Sequence, residues 1–560
     1  MDVHYRNWIG FCVTVLLVGL AARAEAIYID DNRTLAFAAK LQTRVTFRMQ
    51  DSSGFTLPDT RIGDLVQWRN LALLEVNHDL EELTESLDIL WPLKKLKIHS
   101  RYHLVGRFMY DALYDVGSDE FKAVRDNDPE NIDKFKQSYD LWEFYVDFKR
   151  GPWFVRIGKQ NLAWGETDHF RLLDGINPLD NTFGGPFEDL DDRRIPLWML
   201  RGTYNLGTVG PVRSLSMEGF WVPGNWDAMV APVSPFATPY SAPLTELLAP
   251  LVRVYTPDKK MSNSRWGVRL QGMLGAANVS AAYYQTFLDN PAGSVITTRP
   301  IEGPVTSLSD FQFALDFPTV QIAGGSINFF ESITNTVFRG EIAWFFDEPV
   351  FIVGVNDLPL HPGPDQIIPL SPTALSAAAL VLGADLRSLG LNGLPVSPES
   401  GLSPKQDVFR WMLGFDKQVW IRPLNKTSMF LVSMQWFGTF YPSHVDYMVA
   451  PVPIPDKFLT VTNSITGDPI PDYTQYPTVK QMENIFTTVI TTNYLKGSLL
   501  PQMAVGYDPR GAWLILTAVQ YTWEPFRFGF QYAGVLGNYV SVGLLRDRDQ
   551  IAFTFSYLLN

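Results

Sequence analysis

The chain has 560 residues, with 46 Lys+Arg against 59 Asp+Glu for a formal net charge of −13, and 13% of its residues are aromatic. That acidic balance argues against nucleic acid as a partner, because phosphate binding needs a basic surface. The only cysteine is Cys12, so a disulfide framework, a thiolate metal site and covalent haem attachment are all excluded.

The first residues read as a secretory signal. Arg6 supplies a positive start, residues 8–20 are apolar, and Ala24-Glu25-Ala26 is an A-x-A cleavage site. An uncleaved anchor helix is the weaker alternative, because the apolar run is too short to span comfortably. Cys12 lies inside this segment and follows no lipidation pattern. We therefore expect a cleaved signal over 1–26 and one barrel domain over 27–560. Secretion without cysteine suits a bacterial outer membrane better than a disulfide-stapled domain.

Residues 35–50 (LAFAAKLQTRVTFRMQ) alternate strictly. Leu35, Phe37, Ala39, Leu41, Thr43, Val45, Phe47 and Met49 fall on one, almost wholly apolar, face of a strand; Lys40, Gln42, Arg44, Thr46 and Arg48 fall on the other. A strand crossing a bilayer needs about 9–11 residues. The stretch reads as the first strand of a membrane barrel, with lipid on the odd face and a wet lumen on the even face. Similar segments follow at 69–79, 96–110, 141–149, 153–164, 196–206, 215–222, 266–274, 279–287, 337–346, 408–418, 428–441, 481–494, 500–507, 513–523, 526–536 and 550–558. In the segment 141–149, alternation places Trp142, Phe144, Val146 and Phe148 on one side.

That makes seventeen, and a closed single-chain bacterial barrel normally uses an even number. Short turns belong on the periplasmic rim and long loops outside. With the first strand rising, Gly151, Gly207, Gly275, Pro423 and Pro525 mark periplasmic turns. The segment from Val279 then rises and the one from Val408 descends, so an even number of strands lies between them, where one is visible. A strand hidden in 289–406 gives eighteen; discarding 337–346 gives sixteen. Eighteen is the preferred reading. The fold class is all-β, a transmembrane antiparallel β-barrel. Its long extracellular loops are 111–140, 165–195, 223–264, 289–336, part of 347–406, and 442–480. Helix-like pieces at 371–387, opened by Ser371-Pro372, and at 243–252 are too apolar to face water, and are expected to fold toward the lumen or meet a partner.

Inward positions carry rows of charge. The basic ones are Lys40, Arg44, Arg48, Lys97, Arg101 and Arg107, with His99 and His103; the acidic ones are Glu75, Asp79, Glu143 and Asp147. Opposed rows make a transverse field that orients polar solutes. They also pair as ordinary cross-strand ions, and the two readings are compatible.

Residues 156–180 (RIGKQNLAWGETDHFRLLDGINPLD) form the most distinctive stretch. Its pattern is Arg156, Gly158 and Gln160 ending a strand, then Trp164-Gly165-Glu166, then Asn177, Pro178 and Asp180. This resembles the Gram-negative outer-membrane family termed domain of unknown function thirteen hundred and two. The resemblance covers most of the chain and implies a porin-like barrel, with transport by analogy only. Family neighbours usually end on an aromatic residue; here the chain ends Leu558-Leu559-Asn560, with Tyr557 nearest.

In the same loop Glu166, Asp168, Asp174, Asp180, Glu188, Asp189, Asp191 and Asp192 supply carboxylates for a Ca²⁺ reading. EF-hand spacing is absent and Arg171, Arg193 and Arg194 lie beside them, so a salt-bridged loop folded into or over the pore is preferred, with no metal or other cofactor. No G-x-S-x-G, P-loop or H-E-x-x-H occurs, and no enzyme is expected. Trp153, Trp436, Tyr441, Trp513, Trp523, Phe526 and Tyr557 sit near strand ends, where interface girdles form.

The expected function is an outer-membrane channel for passive passage of small, moderately hydrophobic organic solutes. Its partners would be outer-membrane lipid and the solute. The alternative is a structural or binding barrel that anchors a periplasmic or outer-membrane protein complex or sheathes a separate redox protein.

Overall fold

A computed structural model of the chain describes residues 27–51, 60–81, 95, 97–168, 170–182, 184–233, 238–240, 252–289, 292–297, 311–350, 368–369, 393–394, 405–444, 461–462, 469–470, 479–538 and 540–559. Eighteen antiparallel strands close on themselves. In chain order they are β1 (Leu35–Arg48), β2 (Leu65–Asp79), β3 (His99–Asp111), β4 (Gln137–Arg150), β5 (Trp153–Gln160), β6 (Leu197–Val209), β7 (Val212–Val222), β8 (Arg265–Leu274) and β9 (Ala277–Phe287). The circuit continues through β10 (Thr319–Glu331), β11 (Thr336–Pro349), β12 (Lys405–Val419), β13 (Phe430–Phe440), β14 (Met482–Thr491), β15 (Leu499–Asp508), β16 (Ala512–Trp523), β17 (Phe526–Gly537) and β18 (Gln550–Leu559). The last strand pairs back onto the first, from Ala39↔Leu559 to Arg48↔Gln550.

The strand missing from the alternation pattern is β10, inside 289–406 as the parity argument requires; sixteen strands are excluded. Its centre, Ala323-Gly324-Gly325-Ser326, has no apolar face to read. The small residues have a use. A Cβ on Gly324 would stand 2.6 Å from the Leu173 side chain and closer still to the Ile342 carbonyl, so only glycine lets the interior press so close.

One rim carries the tight connections, among them 151–152, 210–211, 275–276 and 524–525; the other carries most of the long ones. Gly207 is not a turn residue. It sits inside β6 at a register shift against β7, and the turn is Gly210-Pro211. Three helices, α1 (Leu113–Val116), α2 (Asp119–Asn127) and α3 (Pro129–Lys136), pack Leu113, Tyr114, Phe121 and Ile132 over Val66 at the long-loop rim. A small separate sheet joins Val252–Tyr255, Ala292–Thr297 and Phe311–Asp316. The helix-like pieces expected at 371–387 and 243–252 lie outside the described residues except at Val252, which opens that sheet. The expected signal, 1–26, lies outside them as well.

Outward side chains stay apolar and open around the circuit: Leu74, Phe108, Ile157, Val268, Ile342, Leu413, Phe530 and Phe553 are each more than a third exposed. In water such a belt would be an aggregation surface. Hydrocarbon is the medium that buries it, and a closed barrel leaves no strand edge unpaired there. The chain is a transmembrane barrel of the bacterial outer membrane. Close outward aromatic pairs such as Trp153–Tyr204 (4.5 Å between centroids) and Tyr507–Trp513 (4.1 Å) lie near strand ends.

Three expected placements change. Lys97 precedes β3 in an exposed turn with φ 49°, so it does not belong to the lumen row. Trp142 does not share the outward face of its strand. A register shift between Val105 and Gly106 on the neighbouring strand leaves it unpaired and turns it inward, against Arg107. Tyr441 packs against the apolar cluster inside the barrel rather than joining a girdle.

Candidate functional site

The interior is divided in two by residues 161–196, which link β5 to β6. The strand expected over 153–164 stops at Gln160, and the chain then turns inward. Leu162, Trp164, Leu172, Leu173 and Ile176 join inward side chains of β6 to β13, including Phe220, Tyr284, Ile322, Phe345 and Met412, in one buried apolar cluster. That side of the lumen is a packed core. Burying each such large side chain contributes roughly 1.5–3 kcal/mol, so the loop is held as firmly as a structural element.

The distinctive motif supplies the clamps. Asn177 is fully buried at the neck of the loop. Its Oδ1 accepts from the Leu162 N–H (2.9 Å), and its Nδ2 donates to the carbonyls of Gln160 (3.2 Å) and Ile195 (2.8 Å). The Ile195 N–H donates to the Pro178 carbonyl and the Asp180 N–H to that of Arg193 (2.9 and 2.7 Å). Gln160 is buried and donates to the Met199 carbonyl at 3.2 Å. Trp164 donates its Nε1–H to Glu218 at 2.9 Å, with its ring edge-on to Phe220 and Tyr284. Gly165 has φ 131° and faces Glu341 so closely that an added Cβ would lie 3.0 Å from Oε2. The Glu166 and Leu173 N–H groups both donate to the Glu341 carboxylate, at 2.6 and 2.7 Å. Asp168 receives both Nη groups of Arg339 at 2.9 Å, and Gln435 Nε2 at 2.9 Å. Gly158 faces Tyr145 across the β4–β5 pair.

The far end of the loop crosses to the opposite wall. Phe187 packs against Leu514, Ala533 and Val535 of β16 and β17, and Gln531 donates to its carbonyl at 3.1 Å. Glu188 pairs with Arg69 at 2.6 Å. Burial pushes the Glu188 carboxyl up, but Arg69, Arg44 and the hydrogen bonds from Arg69 and Gln67 outweigh it and hold it below the usual glutamate range. Asp174 shifts the other way: burial raises it, and Arg194 at 2.5 Å offsets only part. Burial lowers Arg171 to about 10, although it is paired with Asp289.

Beside the loop lies a cavity of about 600 Å³ between β1–β4, the end of β18 and the 180–194 segment. Lys40, Arg69, Glu75, Arg107, Glu143, Asp180 and Glu188 line it. Arg107 lies 3.3 Å from the centre of the Trp142 ring and 3.2 Å from Asp140. Asn161 donates to Glu143 at 2.7 Å, and Asn77 donates to Glu75 at 2.6 Å. His103 sits between those two acids, 3.5 and 3.7 Å away, stacked on Tyr145. His99 lies at the strand start beside Glu81 at 3.2 Å. Leu71, Leu73, Val105 and Met109 add an apolar stripe.

The other expected charges fall elsewhere. Asp147 is buried between Arg101 (2.9 Å) and Arg156 (2.6 Å). It begins a row that continues through Arg201 and Arg269, both on Glu218 at 2.5–2.6 Å. Asp79 is the register partner of Arg101. Arg44 donates to Gln531 at 2.6 Å. Arg48 is buried under loop segments, donating to Thr60 and to the Arg548 carbonyl. Arg194 also holds Asp191 at 2.6 Å; Asp189 and Asp192 are exposed. Among the described residues no cluster of three or more His, Cys, Asp or Glu has the geometry to hold a metal ion.

Sequence reasoning missed Glu218, Arg339 and Glu341. Each occupies an inward position of a strand that the alternation did identify, so face parity was the available signal.

Solved structures of outer-membrane proteins share the outline. OpdK from Pseudomonas aeruginosa aligns at TM-score 0.43 and 8% identity over 94% of this chain and 98% of its own. OccK9 (OpdG) from P. aeruginosa gives 0.44 and 10% over 95% and 99%. A BenF-like porin from Pseudomonas fluorescens Pf-5 gives 0.44 and 9% over 95% and 100%. These scores lie below 0.5, so the barrel assignment rests on the chain's own strand register. No curated protein matches the chain. The profile of a family described as protein of unknown function (DUF1302) matches residues 7–559, and the chain belongs to that family.

Proposed function

We propose that the protein is a channel for passive passage of small, moderately hydrophobic organic solutes. The observation that carries this is the asymmetry of the lumen. The loop fuses with the β6–β13 wall into a dry core, while the β1–β4 wall keeps a cavity of about 600 Å³ lined by both charge and apolar side chains. A barrel meant only as a scaffold has no need of an amphipathic space beside a clamped loop. Water and ions favour the charged wall, and the stripe Leu71–Leu73–Val105–Met109 gives an apolar body something to slide on.

The test is flux. Full-length protein in liposomes should conduct ions and release entrapped aromatic acids and alcohols. Absence of both, in protein that shows heat-modifiable barrel migration, would leave the anchoring or sheathing barrel as the better account.

A further inference from the structure

We infer that the cavity beside the loop is a binding site for an organic monocarboxylate with an apolar body, held at its charged end by Lys40 and Arg107. This deepens the channel reading and rests on it for the direction of transport, but not for binding. Lys40 (β1), Leu73 (β2) and Arg107 (β3) are successive register partners, so the two cations stand in one row on either side of a leucine. Adjacent strands lie about 4.8 Å apart, which lets both long side chains reach one small anion over Leu73.

Donor capacity is in surplus there. Lys40 has no hydrogen bond or ion pair among the described residues, and the same holds for Arg527, which lines the cavity from β17. Arg107 Nε and Arg193 Nε are buried without a hydrogen-bond partner. Five of the six acids lining the same space are already engaged: Glu75 by Asn77, Glu143 by Asn161, Asp180 by Thr182, Glu188 by Arg69 and Asp191 by Arg194; the sixth, Asp192, is exposed. Among the described residues that line the cavity, Asn161 Oδ1 is the one buried acceptor left unmatched. Lys40 and Arg527, cations on the cavity wall without a counter-ion among the described residues, favour a ligand that brings oxygen atoms and negative charge. Inorganic anions would meet the cations but leave the stripe wet. Leu71, Val105, Met109 and the inward Trp142 give a ring or short chain its apolar contact.

The test uses detergent-purified full-length protein and three probes: phenylacetate, its neutral amide, and acetate. Tryptophan fluorescence titration reads binding, with Trp142 in the cavity wall. The expected result is saturable binding of phenylacetate, at least tenfold tighter than either the amide or acetate. Lys40→Gln should lower the acid-to-amide ratio about tenfold, Lys40→Arg should restore most of it, and Asp119→Asn on the outer helix α2 should leave it as in the parent. Equal binding of acid and amide, or a ratio unmoved by Lys40→Gln, overturns the inference. Binding as expected without liposome flux supports this site and sinks the channel reading. Flux without acid-selective binding does the reverse.

Discussion

Arg44 and Arg69 face one another as register partners on the lumen side of β1 and β2. Like charges set directly opposite on a sheet repel. Asp111, the register partner of Arg69 on β3, supplies one wall acid; Arg44 faces Thr554 on its other side and has none. The rest of the relief comes from the loop and from a wall strand two places away. Glu188, carried across the lumen at the far end of the 161–196 loop, pairs with Arg69 at 2.6 Å, while Gln531 takes Arg44 at 2.6 Å. Wall and loop are therefore each incomplete without the other.

Removing the acid should expose that dependence. Arg69 and Glu188 keep only 9% and 4% of their side-chain surface exposed, so Glu188→Gln removes the carboxylate that is hydrogen-bonded to a buried guanidinium. Breaking a buried pair from one side costs about 3 kcal/mol. Urea unfolding of the folded barrel should register that loss, and Arg69→Met combined with Glu188→Leu should recover most of it. A single mutant as stable as the parent would show that the pair holds nothing in place.

Acid should loosen the same contact. The Glu188 carboxyl is held below its ordinary value, so its contribution is complete above the usual glutamate range and is lost as pH falls through the lowered folded value. Asp174 works in the opposite sense. Its raised value means that stability declines as pH climbs from the ordinary aspartate range through the folded value. Proteolysis of the 161–196 loop should thus increase on acidification below the ordinary glutamate range, and Glu188→Gln should abolish that increase. Asp174→Asn should flatten the loss on the other side. Acid sensitivity that persists in Glu188→Gln would assign the effect to other carboxylates.

Much of this arrangement is written in the alternation, and the exceptions have physical causes. Leu35 to Arg48 announces its two faces because every second residue meets lipid. β10 does not, because Gly324 and its small neighbours answer to Leu173 of the loop rather than to either solvent. Alternation puts Trp142 outward because a strict period of two cannot foresee a bulge, and one extra residue reverses the face. The motif around Trp164 and Asn177 is visible as a motif, but its partners Glu218 and Glu341 lie 54 and 175 residues from the positions they bind. Charge parity marks them as inward. Only closure of the barrel brings them to the loop.

The neck of the loop gives a further prediction. Asn177 serves two segments that converge there, and alanine would leave the Leu162 N–H and the Ile195 carbonyl buried and unpaired. Each orphaned buried group costs about 1–3 kcal/mol, so Asn177→Ala should destabilise by about 3 kcal/mol. An aspartate in its place would keep the acceptor but lose both donated bonds and add a buried charge, so Asn177→Asp should be at least as damaging. Heat-modifiable migration against temperature measures both. Full stability in the alanine variant would mean that the loop is held by its apolar cluster alone.

Glu341 makes the sharpest separation between holding the loop and forming the barrel. It stands on β11, whose pairing with β10 and β12 is complete without its side chain. The residue is 1% exposed, and its carboxylate takes the N–H groups of Glu166 and Leu173 from opposite ends of the loop segment that carries Asp168. Glu341→Ala strands both donors inside the barrel, a loss of about 3 kcal/mol confined to the loop. Glu341→Gln keeps one oxygen for one donor and should fall between. The expected signature is a barrel that still assembles and migrates as folded, with larger and noisier single-channel conductance in planar bilayers, in the order Ala above Gln above parent. Were Glu341→Ala to misassemble instead, the loop would be part of the folding unit. Were conductance unchanged in a folded variant, the loop would not set the width of the path.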